Sequence, residues 1–532
     1  MQPSRDYPSI QAPSVTTPAA YNAAHDLLSR HGERADKPAF VDALSGSQLT
    51  YGELEDQAHR FANALRSLGF APESRVLLAM LDTPQWPVVF LGCILAGVVP
   101  VAVNTLLTTA DFEFMLRDSR AQGLVVSKAL LPAFEPLLGH IDTLRSVIVD
   151  GGGDDEVDVE DSKSNRSLAQ VIHAQAATKI IASTSADDIC FWLYSSGSTG
   201  APKGTVHLHS HLIQTAELYG RGVLGINESD VVYSAAKLFF AYGLGNALTF
   251  PMCVGATTVL LPARPTPADV FGVLQKFQPS IFYGVPTLYA ALLSHPARPA
   301  RQKLKLRLCT SAGEALPAEI GRRWTAEYGC EILDGIGSTE MLHIFLSNRP
   351  GQVRYGTTGQ AVPGYALRIV GDDGKLCGVG EIGELQINGP SAAIMYWNNR
   401  AKTKATFAGE WTKSGDKYTV DADGYYTYGG RSDDMLKVGG IYVSPFEVEA
   451  CLMTHASVLE AAVIGVMDAE ELVKPKAYVV LKAGEAVTEA ELQAHVKQAL
   501  APYKYPRWIE FVSELPKTAT GKIQRFKLRQ QH

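Results

Sequence analysis

Two periods of apolar and polar positions alternate along most of this chain. In TYGELEDQAHRFANALRSLGF (50–70) the pattern is helical. Thr50 supplies an N-cap, Glu53 completes a capping box three residues later, and Gly69 marks the stop. SRVLLAML (74–81) reads as a buried strand, DFEFMLRDSR as a helix and GLVVS as a strand. TPADVFGVLQKFQP (266–279) predicts a helix, followed by the strand SIFYGV. The longest apolar run, Val88 to Val103, is shorter than the roughly 18 residues that span a bilayer and is broken by Pro100. It reads as a buried helix leading into a buried strand. This alternation predicts α/β layers with largely parallel sheets.

Past residue 365 the texture changes. ALRIVGDDGKLCGVGEIGELQING reads as short strands joined by Gly/Asp turns. Its GVGEIG has glycines at 378, 380 and 383, but strands flank it on both sides and no helix follows, so it reads as a hairpin turn and not as a dinucleotide loop. YGGRSDDMLKVGG is a polar, glycine-rich connector, and about a hundred residues with their own helix and strand signals follow it. The boundary is placed at Arg431 to Asp434, giving a large domain over 1–431 and a small α+β domain over 432–532.

A composition of 46% hydrophobic and 19% charged residues marks an ordered globular chain, and a net charge of −7 with no Lys/Arg block excludes a nucleic-acid surface. The seven cysteines (93, 190, 253, 309, 330, 377 and 451) are scattered, odd in number and form no C-x-x-C pair, as expected for reduced, mostly buried thiols. The polar, proline-rich N-terminus lacks a secretory apolar core. A soluble cytoplasmic protein without membrane partners is expected. The acidic run 151–165 reads as a solvated loop.

Five segments can carry chemistry. YSSGSTGAPKGTVH (194–207) offers unhindered amides at Gly197 and Gly200, hydroxyls on Ser195, Ser196, Ser198 and Thr199, and the charge of Lys203. It suits a phosphate, yet it does not fit G-x-x-x-x-G-K-[ST], because Pro202 stands where the second glycine belongs. SAGEALP (311–317) enters a helix and alone is an ordinary junction. In DGIGSTEMLHI, Glu340 reads equally as a Mg²⁺ ligand beside a phosphate or as a helix cap. Asp416, in a Ser-Gly-Asp turn, could accept ribose hydroxyls or be a turn residue. LPKTATGKIQR (515–525) sets Lys517 and Lys522 in a Thr/Gly-rich turn, either a counter-charge or a solvated tail. The histidines of HLHSH (207–211) lack a Cys, Asp or Glu to complete a zinc set, and His207 is placed in the nucleotide cleft.

In this order, YSSGSTGAPKG, GSTE, SGD, GRSDD and PKTATGK resemble the adenylate-forming superfamily of acyl-CoA synthetases, nonribosomal-peptide adenylation domains and luciferases. Through KLFFAYGLGN and DGIGSTEMLHIFLSN the chain looks most like the benzoate–CoA ligases. The resemblance implies a large N-terminal domain of α/β layers plus a distorted β-barrel, and a small mobile C-terminal α+β domain. It implies ATP, Mg²⁺ and coenzyme A, an acyl-adenylate intermediate, and release of AMP and pyrophosphate; a homodimer is allowed. The glycine-rich loop would hold the β- and γ-phosphates, Thr339 the α-phosphate and Glu340 the metal. Gly313, Glu314, Ala315, Asp334, Gly335 and Ile336 would frame the adenine, and Asp416 and Arg431 would hold the ribose. Lys522 would be the catalytic lysine, Asp433 the hinge, and Gly439 and Gly440 would reach the pantetheine tunnel. Much of the superfamily has tyrosine at the position of Ile336, so an apolar contact replaces aromatic stacking there.

The resemblance also assigns an acyl pocket to Phe239, Ala241, Tyr242, Gly337, His343 and Ile344. Phe240-Ala241-Tyr242 lacks the aspartate that pairs with an amino group, which argues against an amino-acid substrate. With no carrier domain after Lys522, free CoA is the simpler acceptor. Gly337 would leave room for a flat ring, Ile344 would close its far end, and His343 is either a pocket wall or a packed core residue. With no certain partner for a ring hydroxyl, benzoate is favoured over 4-hydroxybenzoate, and small substituents remain open. A luciferase-like or carrier-loading adenylating enzyme and a non-catalytic nucleotide sensor are the competing readings. Lys522, Glu340 and Asp416 argue against the sensor.

Overall fold

The computed structural model describes residues 13–151, 165–197, 200–432, 434–438, 441–469, 472–517 and 523–530. Most of the acidic run, and Ser198, Thr199, Asp433, Gly439, Gly440 and Lys522, lie outside the described residues.

Two large sheets dominate. The first has eight strands, in the order Met395–Tyr396, Gly200–Leu208, Ile189–Gly197, Val99–Ala102, Arg75–Ala79, Gly123–Ser127, Ser146–Asp150 and Asn165–Ser167. Its strands run parallel from Ile189–Gly197 onward, and two antiparallel pairings close the other end. The second has nine strands and is parallel through its middle, where Leu308–Ser311 lies between Ile281–Gly284 and Ile332–Gly337. Where a distorted barrel was expected, Ala366–Val370, Gly383–Asn388, Phe407–Ala408, Trp411–Val420 and Tyr426–Arg431 form a five-stranded antiparallel sheet.

Local chemistry explains the main helices. Thr50 and Glu53 form the expected reciprocal cap on Tyr51–Ser67, and Thr266 and Asp269 do the same for Pro267–Phe277. Gln85–Leu95 is buried from Trp86 to Leu95 and leads into Val99–Ala102, as the apolar run predicts. Each large apolar side chain buried there contributes roughly 2 kcal/mol.

The C-terminal part has its own layers. Val458–Met467, Val473–Leu481 and Trp508–Phe511 form a three-stranded sheet, with Pro445–Met453 and Glu489–Ala499 among its helices. Two apolar clusters there draw on residues from Leu436 onward. The connector is more ordered than its composition suggests, because Tyr426–Arg431 and Leu436–Val438 are both strands. Gly378 and Gly380 lie in the connection between the paired strands Ala366–Val370 and Gly383–Asn388, as expected, and Gly383 begins the second strand.

Candidate active site

The glycine-rich segment is a β-hairpin and not a free loop. Ile189–Gly197 and Gly200–Leu208 pair antiparallel, with Ser195 opposite Lys203 and Gly197 opposite Gly200. Glycine and serine favour strands weakly, but the apolar ladder from Ile189 to Leu193 fixes the register beneath them. Tyr194 Oη donates to Asp118 Oδ2 at 2.7 Å, anchoring one arm just before Ser195, whose buried hydroxyl has no hydrogen-bond partner among the described residues. Burial lowers the Lys203 ammonium from its ordinary value, the Glu340 charge opposes this, and Lys402 and Arg431 add to it.

The GSTE segment lies in the turn between Ile332–Gly337 and Ile344–Ser347, so Glu340 caps no helix, and Asp334 to Gly337 belong to the strand. Three contacts fix this turn. His207 Nε2 donates to the Thr339 carbonyl at 2.8 Å, Ala393 N–H donates to the Glu340 carbonyl at 2.7 Å, and Tyr396 Oη donates to Glu340 Oε1 at 2.6 Å. His207 is fully buried, and its value falls to about 4 through burial, with the Thr339 carbonyl opposing. Tyr396 was not foreseen. Its signal, an aromatic pair after the small residues of GPSAAIMYW, says nothing of a partner 56 positions away.

The expected adenine residues converge on adjacent strands. Ser311 pairs with Asp334, and the turn holding Gly313, Glu314 and Ala315 follows Ser311. Gly313 has φ +93°, a backbone region that only glycine occupies cheaply. Burial raises the Asp334 carboxyl well above the ordinary value, and its Oδ1 has no hydrogen-bond partner. Ile336 is half-buried.

Asp416 lies inside the strand Trp411–Val420 and not in a free turn; Gly415 before it has φ +73°. It pairs with Arg431 across the ladder, with Arg431 Nη1 3.3 Å from Asp416 Oδ1.

The expected acyl residues form a second group. Leu238 N–H donates to Asp82 Oδ1 at 3.3 Å, setting the start of the segment Phe239 to Tyr242. Tyr242 Oη shares a 2.5 Å hydrogen bond with Thr310 Oγ1. His343 Nε2 donates to the Tyr242 carbonyl at 3.2 Å, and its ring lies 4.5 Å from Phe250 and 5.6 Å from Tyr242. Burial lowers His343 to about 3, so it is neutral. The Phe239 and Phe240 rings meet at 4.5 Å, tilted by 57°, and Ala241 is buried. Ile344 is buried beside Gly335, whose added Cβ would stand 3.1 Å from Ile344 Cγ2. A Cβ on Gly337 would meet the His343 carbonyl oxygen at 2.6 Å, so that glycine is required by its own hairpin.

Among the described residues, no cluster of three or more His, Cys, Asp or Glu could hold a metal ion, and no helix is long and apolar enough to cross a membrane. A lone carboxylate beside a phosphate hairpin does fit Mg²⁺ that arrives with a nucleotide, since that ion takes one or two carboxylates plus phosphate oxygens. Glu340 meets this requirement, with Oε1 held by Tyr396 and no hydrogen bond to Oε2 among the described residues.

The AMP-binding enzyme family matches residues 29–397, and the AMP-binding enzyme C-terminal domain matches 447–522. The chain is 59% identical to the benzoate–CoA ligase of Thauera aromatica over 97% of each chain. Its fold is similar to a benzoate CoA ligase from Burkholderia xenovorans LB400, with TM-score 0.88 and 55% identity, covering 96% of this chain and 100% of that one. It is also similar to the anthranilate CoA ligase AuaEII in complex with anthranoyl-AMP, with TM-score 0.91 and 45% identity, covering 97% and 98%. The two family matches take in the hairpin, the GSTE turn and the C-terminal sheet, and the chain belongs to the AMP-binding enzyme family.

Proposed function

We propose that this chain joins benzoate, or a closely related aryl carboxylate, to CoA through an acyl-adenylate, with release of pyrophosphate and AMP. The observation that carries the reading is the pairing of a phosphate hairpin and lone carboxylate with a neutral, aromatic-walled acyl group of residues, His343, Tyr242 and Phe250. The 59% identical relative supports it.

The substrate carboxylate attacks the α-phosphorus of ATP, and pyrophosphate leaves. The difficulty is electrostatic, an anion approaching a polyanion. Lys203 and the hairpin donors Ser195, Ser196, Gly197, Ser198, Thr199 and Gly200 hold the β- and γ-phosphates, and Thr339 contacts the α-phosphate. Glu340 would hold Mg²⁺, which when bound supplies neutralising charge to the triphosphate. Gly313 to Ala315 and Asp334 to Ile336 frame the adenine, and Asp416 and Arg431 hold the ribose. Lys522 neutralises the charge that develops at the reacting centre. The CoA thiol then attacks the acyl carbon, and AMP leaves.

The division into 1–431 and 432–532, with Asp433 as hinge, belongs to the same proposal. After adenylation the small domain turns, removing Lys522 and bringing Gly439 and Gly440 to the pantetheine. The separate apolar clusters beyond Leu436 support it.

One observation favours a ring with a hydrogen-bond donor. His343 Nε2 donates to Tyr242, so Nδ1 is an acceptor, and it is buried without a partner. A hydroxyl or amino substituent that reached it would satisfy it, whereas benzoate has no donor to offer.

The test is pyrophosphate release with benzoate, 4-hydroxybenzoate, 2-aminobenzoate, cyclohexanecarboxylate, a medium-chain fatty acid and an amino acid, each with and without CoA. CoA-dependent turnover with the aromatic acids is expected. Preference for the fatty or amino acid would overturn the acyl-pocket reading, and full turnover without CoA would overturn the acceptor.

A further inference from the structure

One side chain meets both charged groups at the phosphate end of the site. Lys203 Nζ stands 4.6 Å from the ring centroid of Tyr396, while the hydroxyl of that ring donates to Glu340 Oε1 at 2.6 Å. Lys203 and Glu340 form no ion pair with each other among the described residues. A cation and a carboxylate this close to one ring would otherwise collapse together and neutralise the charges that a triphosphate and its metal need.

The surroundings hold this side chain tightly. Tyr396 is 3% exposed. Its short strand, Met395–Tyr396, pairs with the outgoing arm of the hairpin, Met395 opposite Val206 and Tyr396 opposite Thr205. Trp397 N–H donates to the Gly204 carbonyl at 2.7 Å, and Trp397 Nε1 donates to the carbonyl of Asp118, the residue whose carboxylate takes the Tyr194 hydroxyl. On the other side, Tyr396 N–H donates to Thr403 Oγ1 at 3.0 Å, and Phe407 packs on the ring at 5.4 Å. Three residues earlier, Ala393 N–H holds the Glu340 carbonyl. Residues 393–397 thus form a strap that grips Glu340 at main chain and side chain and is laced to the strand carrying Lys203.

We propose that Tyr396 is a positioning residue for the adenylation half-reaction. Its hydroxyl ties one oxygen of Glu340 and leaves the other for a divalent cation, and its ring keeps Lys203 from pairing with that carboxylate. The inference rests on the reading of Glu340 as the metal carboxylate, and the test separates the two.

Full-length Tyr396→Phe, Tyr396→Leu and Glu340→Gln are compared with the wild type. Three quantities are measured: the thermal midpoint, the calorimetric Kd for ATP in EDTA and in a Mg²⁺ series, and the Mg²⁺ concentration giving half-maximal ATP–pyrophosphate exchange. Tyr396→Phe keeps the ring and should keep the thermal midpoint and the metal-free ATP Kd. Its Mg²⁺ requirement should rise about tenfold, in binding and in exchange alike, through loss of one hydrogen bond to a charged acceptor. Tyr396→Leu should in addition weaken metal-free ATP binding, as Lys203 pairs with Glu340. If Glu340→Gln raises the Mg²⁺ requirement while Tyr396→Phe behaves as wild type, the role of Tyr396 is overturned. If Glu340→Gln leaves that requirement unchanged, the reading of Glu340 falls, and this proposal with it. Should Tyr396→Leu fail to fold, Tyr396→Phe carries the test alone.

Discussion

His207 Nε2 donates to the Thr339 carbonyl across 2.8 Å, tying the end of the glycine-rich hairpin to the turn that carries Glu340. The imidazole stacks on Phe191 at 5.2 Å, and its Nδ1 faces His211 Nδ1 at 3.1 Å. His207→Phe would keep the stacked ring and leave the carbonyl with the longer bond from Leu342 N–H, at 3.2 Å. The rate of ATP–pyrophosphate exchange should fall about tenfold. Thioester formation from preformed acyl-adenylate should fall less. Equal losses in both half-reactions would show that the bond merely supports the fold.

Gly337 is confined by its own hairpin. In Gly337→Ala the new methyl meets the His343 carbonyl oxygen at 2.6 Å, and main chain cannot swing aside as a flexible side chain can. A loss of about 1–3 kcal/mol is expected, visible as a lower urea midpoint without any acid present. A variant of wild-type stability that only narrows the range of accepted acids would restore the simpler idea that the glycine clears space for the ring.

His343 makes a pH prediction with a definite sign. Burial holds it at about 3 against an ordinary 6.5, opposed by its bond to the Tyr242 carbonyl. Above pH 6.5 it is neutral folded or unfolded. As the pH falls below that value the unfolded chain takes a proton that the folded site refuses, so stability drains away toward pH 3. Between about pH 7 and pH 5 the wild type should lose about 2 kcal/mol relative to His343→Leu. Urea midpoints of the two proteins at both pH values read this directly, and parallel pH curves would contradict it.

Lys522→Ala should abolish most acyl-adenylate formation while sparing the transfer of preformed acyl-adenylate to CoA. Separate assays of the two half-reactions decide it. Equal impairment of both would remove this lysine from its assigned place in the first step.

The sequence announced elements whose causes are local. Thr50 with Glu53 and Thr266 with Asp269 act within four residues, so the caps were readable. The apolar run 88–103 was readable because burial leaves no polar face to alternate. Three local readings gave way to pairing. Ser195 to Gly197, Gly200 to Lys203 and Asp416 looked like loop and turn, yet lie on strands whose partners supply the register. Glu340, which read equally as a metal ligand or a helix cap, sits in a turn closed by Ile344–Ser347. Tyr396 was invisible for the same reason. Its strand pairs with Thr205, 191 positions earlier, and no local pattern encodes a neighbour so far away.

The segment Phe239 to Tyr242 belongs to a different element from the hairpin and its strap, and the turn between Gly337 and Ile344 bonds to both, through Thr339 and Glu340 on one side and His343 on the other. Such a chain can exchange one acid for another while its dealings with the nucleotide stay as they were. Diversification, in nature or in the laboratory, then has a free end and a fixed end. On the proposed reading, changes around His343 should alter which acids are accepted, whereas changes around Tyr396 should weaken the metal-dependent use of ATP with every acid alike.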